Sequence, residues 1–535
     1  MKNKNIQIPK DGFSGMKENF ATDAMSGFLV FLLALPLSLG IAKASDFPAI
    51  MGLITAMIGG ILVSFFAGSK LTIKGPAAGL IVIVASAVAE LGQGDSIRGW
   101  HLALGAIVIA GIVQILFGLI KMGSLVDFFP LSAVHGMLAA IGIIIISKQF
   151  HILLGVSPVN ELDKPLVEPL DLLAQIPKTL AHINLNVAII GTVSLLIVFL
   201  WPHIKQSFLR KIPAPVIVLL VAIPLAKFLP LGPKQLVHFE KTLLDTLAVN
   251  ESFEGFNQLG TFIKFVIMFA LVGSLESLLT VKAIDMLDPW KRKSNANRDL
   301  MAVGIGNVAA GVLGGLPMIS EVARSSANVN NGARTRWANL YHGVFILIFL
   351  LLDLEFSDLI PNAALAAMLI GVGFKLASPK EFGRMASIGI EQLIIFLTTI
   401  VVTLSTDLLI GISAGIVVKL IIQLLFGAQL KTMFKANTET SGHNLKINGA
   451  AVFSNWLGIR KKIAVFPLTE HVTIDVRNCN LVDHTVIDNL LHLEQEYEHA
   501  GGKLDVIGLD EFESVSKTGH VLSARKKAKG SRIKI

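Results

Sequence analysis

Long apolar runs recur along most of the chain and stop near Gly427. From Ala24 onward, stretches of about 20 apolar residues alternate with short polar connections, and each can cross a hydrocarbon core about 30 Å thick as a helix. The pattern predicts fourteen spans, at 24–44, 48–66, 76–89, 101–120, 132–147, 186–201, 214–229, 264–282, 300–314, 320–330, 336–353, 362–374, 389–404 and 407–427. Two of them are anomalous. The third is short and follows the strand-like Leu71-Thr72-Ile73-Lys74 and then Gly75-Pro76. The tenth follows Gly314-Gly315-Leu316-Pro317 and is polar, reading Ser320-Glu321-Val322-Ala323-Arg324-Ser325-Ser326.

The two anomalies lie seven spans apart, the offset expected of two seven-span halves. Because seven is odd, the second half is inverted relative to the first. Paired short or Gly/Pro-interrupted segments at corresponding places in two halves point to a transporter's binding site. Extended backbone cannot face lipid, so these stretches must be enclosed by protein or line a wet cavity. A helix that starts near the midplane presents unpaired N–H groups and the positive end of its dipole, and two facing starts suit an anion.

After Gly427 the sequence turns polar and basic, and it reads as a small α/β domain. The expected elements are strand 444–453, helix 455–464, strand 471–475, helix 484–499, strand 503–507 and a terminal helix from about 509. The predicted organisation is an N-terminal segment at 1–20, a transmembrane region at 21–430 and a C-terminal domain at 431–535. The Lys/Arg-rich end, Arg525 to Lys534, reads as a solvated or membrane-facing tail.

Composition agrees with a membrane protein. Only 16% of the 535 residues are charged and 53% are apolar, against roughly 25% charged in soluble proteins. With a mean hydropathy of +0.68, soluble globular and disordered classes are excluded. The net charge of +8 is an orientation signal rather than a nucleic-acid signal. Loops after even-numbered spans hold Lys205, Arg210, Lys291, Arg292, Lys293 and Arg334, and the opposite loops hold Glu90, Asp95, Glu240, Glu251, Asp353 and Glu355. By the positive-inside rule both termini are cytoplasmic. Residues 1–20 lack the apolar core of a cleavable signal, so the first span is expected to act as its own membrane signal. The single cysteine, Cys479, cannot form an intrachain disulfide and fits a reducing compartment.

Few ionisable residues fall inside the spans. Glu276 lies mid-span in Ser274-Leu275-Glu276-Ser277-Leu278-Leu279-Thr280, where an ionisable group is costly and a functional candidate by default. Thr280, four residues on, shares its helix face. Together they can coordinate a sodium ion through oxygen, or Glu276 can take up a proton. Glu321 and Arg324 are three apart and can pair with each other, while Arg324 can also attract an anion or anchor the helix at the membrane edge. Lys74 is an anion lure or a snorkelling side chain. His135, without a Cys/His cluster, reads as a packed interhelical donor. The sequence holds no metal-ligand spacing, phosphate loop or nucleophile with a base and acid, which argues against an enzyme. Without a Walker motif, transport would be driven by an ion or substrate gradient.

The ordered motifs Ala34-Leu35-Pro36-Leu37-Ser38-Leu39-Gly40, Gly75-Pro76-Ala77-Ala78, Glu276-Ser277-Leu278-Leu279-Thr280, Ser294-Asn295, Asn297-Arg298-Asp299-Leu300, Gly314-Gly315-Leu316-Pro317 and Arg324-Ser325-Ser326-Ala327-Asn328 resemble the SulP family of inorganic anion transporters, the solute-carrier 26 family of animals. The tail, with Val472-Thr473-Ile474-Asp475, Leu481-Val482-Asp483-His484 and Gly501-Gly502-Lys503-Leu504, resembles the STAS domain that ends this family. Where phosphorylatable STAS domains carry Asp-Ser, this chain has Asp483-His484.

The resemblance implies core and gate domains built as a seven-plus-seven inverted repeat and moving as an elevator. It also implies a cytoplasmic STAS domain, a homodimer and residence in the cell inner membrane. It places the substrate anion between Gly75, Pro76, Ala77 and Ala78 on one side and Ser320, Glu321 and Val322 on the other. A cyanobacterial bicarbonate member uses an acidic residue and a threonine for sodium at positions matching Glu276 and Thr280, and proton-coupled sulfate members also carry glutamate there. That bicarbonate member's threonines near the substrate match Ala77 and Val322 here. The expected function is secondary transport of a small oxyanion, bicarbonate or sulfate, coupled to sodium or protons, with no bound cofactor and no nucleic-acid partner. The alternatives are a nucleobase–proton symporter of the same fold and a membrane-anchored, anion-sensing signalling protein.

Overall fold

The computed structural model describes residues 8–124, 129–159, 166, 168–204, 212–237, 258–352, 359–514 and 524–526. Among the described residues the predicted apolar stretches fall on helices, those at 76–89 and 320–330 with an extended stretch in front. Among the described residues, eight helices are long and apolar enough to cross a membrane by themselves, and Ala78–Gly92, Ala214–Phe228, Trp337–Leu351 and Ile390–Ser405 are shorter apolar ones. The chain is therefore a mostly helical, multi-pass membrane protein. It forms two compact units, residues 1–123 with 141–376, and residues 124–140 with 377–535.

The first unit begins with α1 (Gly12–Glu18), α2 (Phe20–Ala44) and α3 (Ala49–Phe66). Strand β1 (Lys74–Pro76) passes through a 3-10 turn, Ala78–Leu80, into α4 (Ile81–Gly92). The chain continues through α5 (Ser96–Leu119), α6 (Leu131–Leu153), the short α7 (Pro169–Ala174) and α8 (Ile176–Ala181), α9 (Leu185–Leu200) and α10 (Ala214–Phe228). Next come α11 (Leu259–Leu287), α12 (Ala296–Val312), β2 (Met318–Ser320), α13 (Val322–Asn330), α14 (Trp337–Leu351) and α15 (Asn362–Leu376).

Small residues let these helices approach closely, as expected in a membrane. A Cβ on Gly60 of α3 would lie 2.4 Å from the Cα of Gly343 on α14. Large apolar side chains remain exposed on the outer helices, among them Leu116 and Leu119 on α5, Leu196 and Leu200 on α9, and Ile263 and Ile267 on α11. That surface suits hydrocarbon rather than water.

The second unit holds α16 (Pro379–Ile388), α17 (Ile390–Ser405), α18 (Leu408–Leu425), α19 (Leu430–Phe434) and the C-terminal α/β region. In that region β3 (Asn437–Ser441), β4 (Asn444–Ala451), β5 (His471–Val482), β6 (Lys503–Ile507), β7 (Phe512–Ser514) and β8 (Ala524–Lys526) form one sheet. Its order is β3-β4-β5-β8-β7, with β6 also on β5. Helix α20 (Phe453–Ile463) brings Trp456 and Ile459, and α21 (His484–Ala500) brings Val486 and Leu490, to a core with Ile447, Ile474 and Leu504.

Two details depart from the sequence reading of this region. The expected terminal helix is absent among the described residues: Leu509–Glu511 is a 3-10 turn, after which Phe512 enters the core from β7. Strand β5 also runs on to Val482, because β4 pairs along it that far and β8 joins at Leu481 and Val482. Beyond Lys526 the basic tail lies outside the described residues. Within the unit, His135 sits 3.5 Å from the Glu381 carboxylate.

Asp483 is a junction inside the second unit. One carboxylate oxygen accepts the Val486 N–H and so caps α21, and the other accepts the Phe453 N–H at the start of α20. The second oxygen also accepts from Gln423 of α18 at 2.8 Å and lies 3.5 Å from the Lys419 ammonium, with both lysine and aspartate buried.

Candidate functional site

Strands β1 and β2 pair antiparallel, Lys74 opposite Ser320, Gly75 opposite Ile319 and Pro76 opposite Met318. This two-stranded ribbon sets the starts of α4 and α13 against each other. The extended strand begins at Lys74, later than the strand-like stretch of the sequence, because its partner lies far away in the chain. Side chains complete the backbone accounting that a buried, non-helical segment requires. Asn307 holds the Met318 N–H at 2.6 Å and donates to the Met318 carbonyl. Ser277 accepts from the Ser320 N–H, Ser325 from the Ile73 N–H, Asn339 from the Lys74 N–H and Thr55 from the Leu316 N–H.

Two charged side chains meet this ribbon from opposite elements. The Glu276 carboxylate of α11 abuts the first turn before α4: a Cβ on Gly79 would lie 2.0 Å from its Oε1. That oxygen is buried and has no hydrogen-bond partner among the described residues. Thr280 is buried one turn further along α11. The Arg324 guanidinium of α13 abuts β1, where a Cβ on Gly75 would lie 2.3 Å from Nη1. Arg324 is fully buried, and none of its three guanidinium nitrogens makes a hydrogen bond among the described residues. Burying a charge without hydrogen bonds costs several kcal/mol, and the Glu321 carboxylate offsets part of that cost through space. Gly75 and Gly79 thus admit a cation and a carboxylate to the two sides of one helix start. Neither ring nitrogen of the buried His342 of α14 makes a hydrogen bond among the described residues.

The remaining predicted residues divide. Ala77 and Ala78 are buried at the α4 start, Pro76 and Ser320 lie in the ribbon, and Val322 is 51% exposed at the start of α13. Glu321 caps α13 by accepting the Arg324 backbone N–H at 2.9 Å. The side-chain pairing expected between Glu321 and Arg324 is not made, since the guanidinium has no partner. Lys74 is neither a free lure nor a snorkelling side chain. Its ammonium is buried 2.8 Å from Asp299 and also reaches Thr72.

Asp299 is the residue that sequence reasoning passed over. Beyond Lys74 it accepts the Gly68 and Ser69 N–H groups and the Ser320 hydroxyl. It thereby ties both strands of the ribbon to the first turn of α12. The signal was available: an apolar region containing Lys74 must supply an acid, and Asp299 is one of few carboxylates there. Gly79 was missed because sequence does not reveal which glycine a distant carboxylate will touch.

A model described as the sulfate permease family matches residues 20–399. The chain belongs to the sulfate permease family. Among its relatives, the provisionally named sulfate transporter YvdB of Bacillus subtilis is 29% identical over 405 residues, 75% of this chain and 72% of that protein. The bicarbonate transporter BicA of Synechocystis is 25% identical over 398 residues, 74% of this chain and 68% of the relative. The solved transmembrane domain of a cyanobacterial BicA superposes with a TM-score of 0.65 at 24% identity, covering 77% of this chain and 100% of that one. The structure of SLC26A9 gives 0.67 at 15% identity over 92% of this chain and 84% of that one. At these identities the structural likeness establishes a shared fold, and sulfate permease family membership rests on the sequence match.

Proposed function

We propose that this sulfate permease family member is a secondary active transporter of a small inorganic oxyanion, bicarbonate ahead of sulfate. The observation that carries the reading is the buried, unpartnered Arg324 guanidinium beside the two helix starts. The substrate rests between Gly75–Ala78 and Ser320–Val322, where helix N–H groups and Arg324 supply donors and positive charge. Glu276, with Thr280 one turn away, carries the coupling ion, sodium or proton. When that ion occupies Glu276 the charge next to the anion falls, so ion and anion favour each other. The fourteen helical segments form two inverted seven-span repeats that work as an elevator, with the C-terminal α/β region as a cytoplasmic STAS domain. The protein resides in the inner membrane as a homodimer with both termini cytoplasmic.

Uptake of labelled bicarbonate and sulfate into proteoliposomes, with sodium and proton gradients imposed separately, tests this. Accumulation of either anion that follows one gradient is expected. Absence of accumulation under both gradients would remove the reading.

Glu276 and Glu321 together support a second reading, a nucleobase–proton symporter that binds its substrate through two carboxylates. Uracil accumulation without bicarbonate or sulfate accumulation would put that reading first.

A further inference from the structure

Glu321 is an unexpected residue at an anion site. An anion that settles on the start of α13 needs the helix N–H groups and the positive dipole end. Glu321 already takes one of those groups, accepting the Arg324 N–H at 2.9 Å. Its place is fixed from the other side too, since its own N–H donates to the Ile73 carbonyl at 2.9 Å. The next residue, Val322, is 51% exposed, so the helix start is open rather than packed shut. Glu321 is also the charged neighbour that both Glu276 and Arg324 feel through space. A Ser, Thr or Asn would cap the helix about as well without adding negative charge. Glu321 thus adds to the cap a full negative charge beside Arg324 and the open helix start.

An ionised carboxylate is an acceptor only. An anion with no hydrogen of its own presents lone pairs to Glu321 and is repelled. An anion that bears a hydroxyl donates to it through a short, charge-assisted bond. Donors on one side, from the helix starts and Arg324, and an acceptor on the other form a complement to a ligand carrying both a negative oxygen and an O–H group.

We propose that Glu321 is a specificity-determining residue of this site, selecting hydrogen-bearing oxyanions such as hydrogencarbonate over anions of similar size that carry no donor. This rests on the anion-transport reading above and assigns its substrate class. A site that hydrogen-bonds a ligand hydroxyl rejects the analogue lacking it far more strongly than a site that only measures size.

Nitrate is the decisive probe, being planar and singly charged like hydrogencarbonate but without a donor. Uptake of labelled bicarbonate, nitrate and sulfate is measured in the same proteoliposomes for the wild-type chain, Glu321→Gln and Glu321→Ser. Both replacements can still cap or approach the helix start, and folding is checked by thermal melting. The wild-type chain is expected to prefer bicarbonate to nitrate by at least about tenfold, and both variants should lower that ratio by about the same factor while sulfate uptake rises. A ratio unchanged in both variants, or a wild-type chain that takes nitrate as well as bicarbonate, overturns the assignment and leaves anion transport standing. Loss of all uptake in both folded variants also overturns it, making Glu321 part of the transport cycle instead. A wild-type chain that accumulates none of the three anions removes the transport reading along with it.

Discussion

At the scale of single residues, the site is made by two glycines as much as by two charges. A methyl group at Gly79 would press on the Glu276 carboxylate, and one at Gly75 would press on the Arg324 guanidinium. In each case the atom displaced is the tip of a flexible side chain, so the fold should tolerate the change while the charge is moved. Gly79→Ala is thus expected to melt within a few degrees of wild type yet lose most ion-coupled uptake. Normal uptake would show that the position of Glu276 does not matter. Glu276→Gln should abolish accumulation against a gradient while the protein remains folded, and undiminished accumulation would refute its coupling role.

Outside the membrane, Asp11 shows the pH behaviour of a paired carboxylate. Burial raises its pKa, but hydrogen bonds from Arg336 and Lys70 outweigh this and hold it well below the usual range. A depressed value in the folded state means a contribution that is full above the unfolded pKa of about 3.9 and fades as pH falls below it. The melting-temperature gap between wild type and Asp11→Asn should be constant near neutrality and close below about pH 4. A gap that widens on acidification would contradict this. Glu276 stood out in the sequence because a charge in an apolar run has few explanations, and Arg324 because it follows the Gly-Gly-Leu-Pro break. Lys74 was misread because its partner, Asp299, lies 225 residues away, and pairing at that distance leaves no local trace.

At the scale of elements, the ribbon of β1 and β2 is tied down by a buried ion pair to α12 as well as by hydrogen bonds. Removing one partner of such a pair typically costs about 3–5 kcal/mol, whereas replacing both with apolar groups of similar size costs much less. Asp299→Ala should therefore destabilise the protein severely, and Lys74→Met combined with Asp299→Leu should recover much of the loss in a thermal melt. Equal destabilisation by the single and double changes would show that Asp299 matters through Ser320 and the Gly68 and Ser69 amides instead. The sequence located both broken helices from their Gly-Pro and Gly-Gly-Leu-Pro breaks, but it put the first strand too early because register is set by a distant partner. In the C-terminal region the two long helices and three of the strands were readable from periodicity. The β7–β8 pairing was not, because β7 and β8 are only three residues each, too short to show a period.

At the scale of the whole molecule, hydropathy gave the membrane class and the Gly/Pro breaks gave the paired helix starts. The convergence of Glu276, Arg324 and Glu321 on those starts required the fold, since they come from α11, the body of α13 and its cap. The central claim is that an oxyanion is held between the two starts beside Arg324. Its most direct test is anomalous diffraction from crystals of the protein soaked in hydrogenselenite, a donor-bearing oxyanion whose selenium is located by its scattering. The account predicts a selenium peak between residues 75–79 and 320–324, within contact of the Arg324 guanidinium and lost in Arg324→Met. A peak elsewhere in the protein, or the same peak in Arg324→Met, would contradict it.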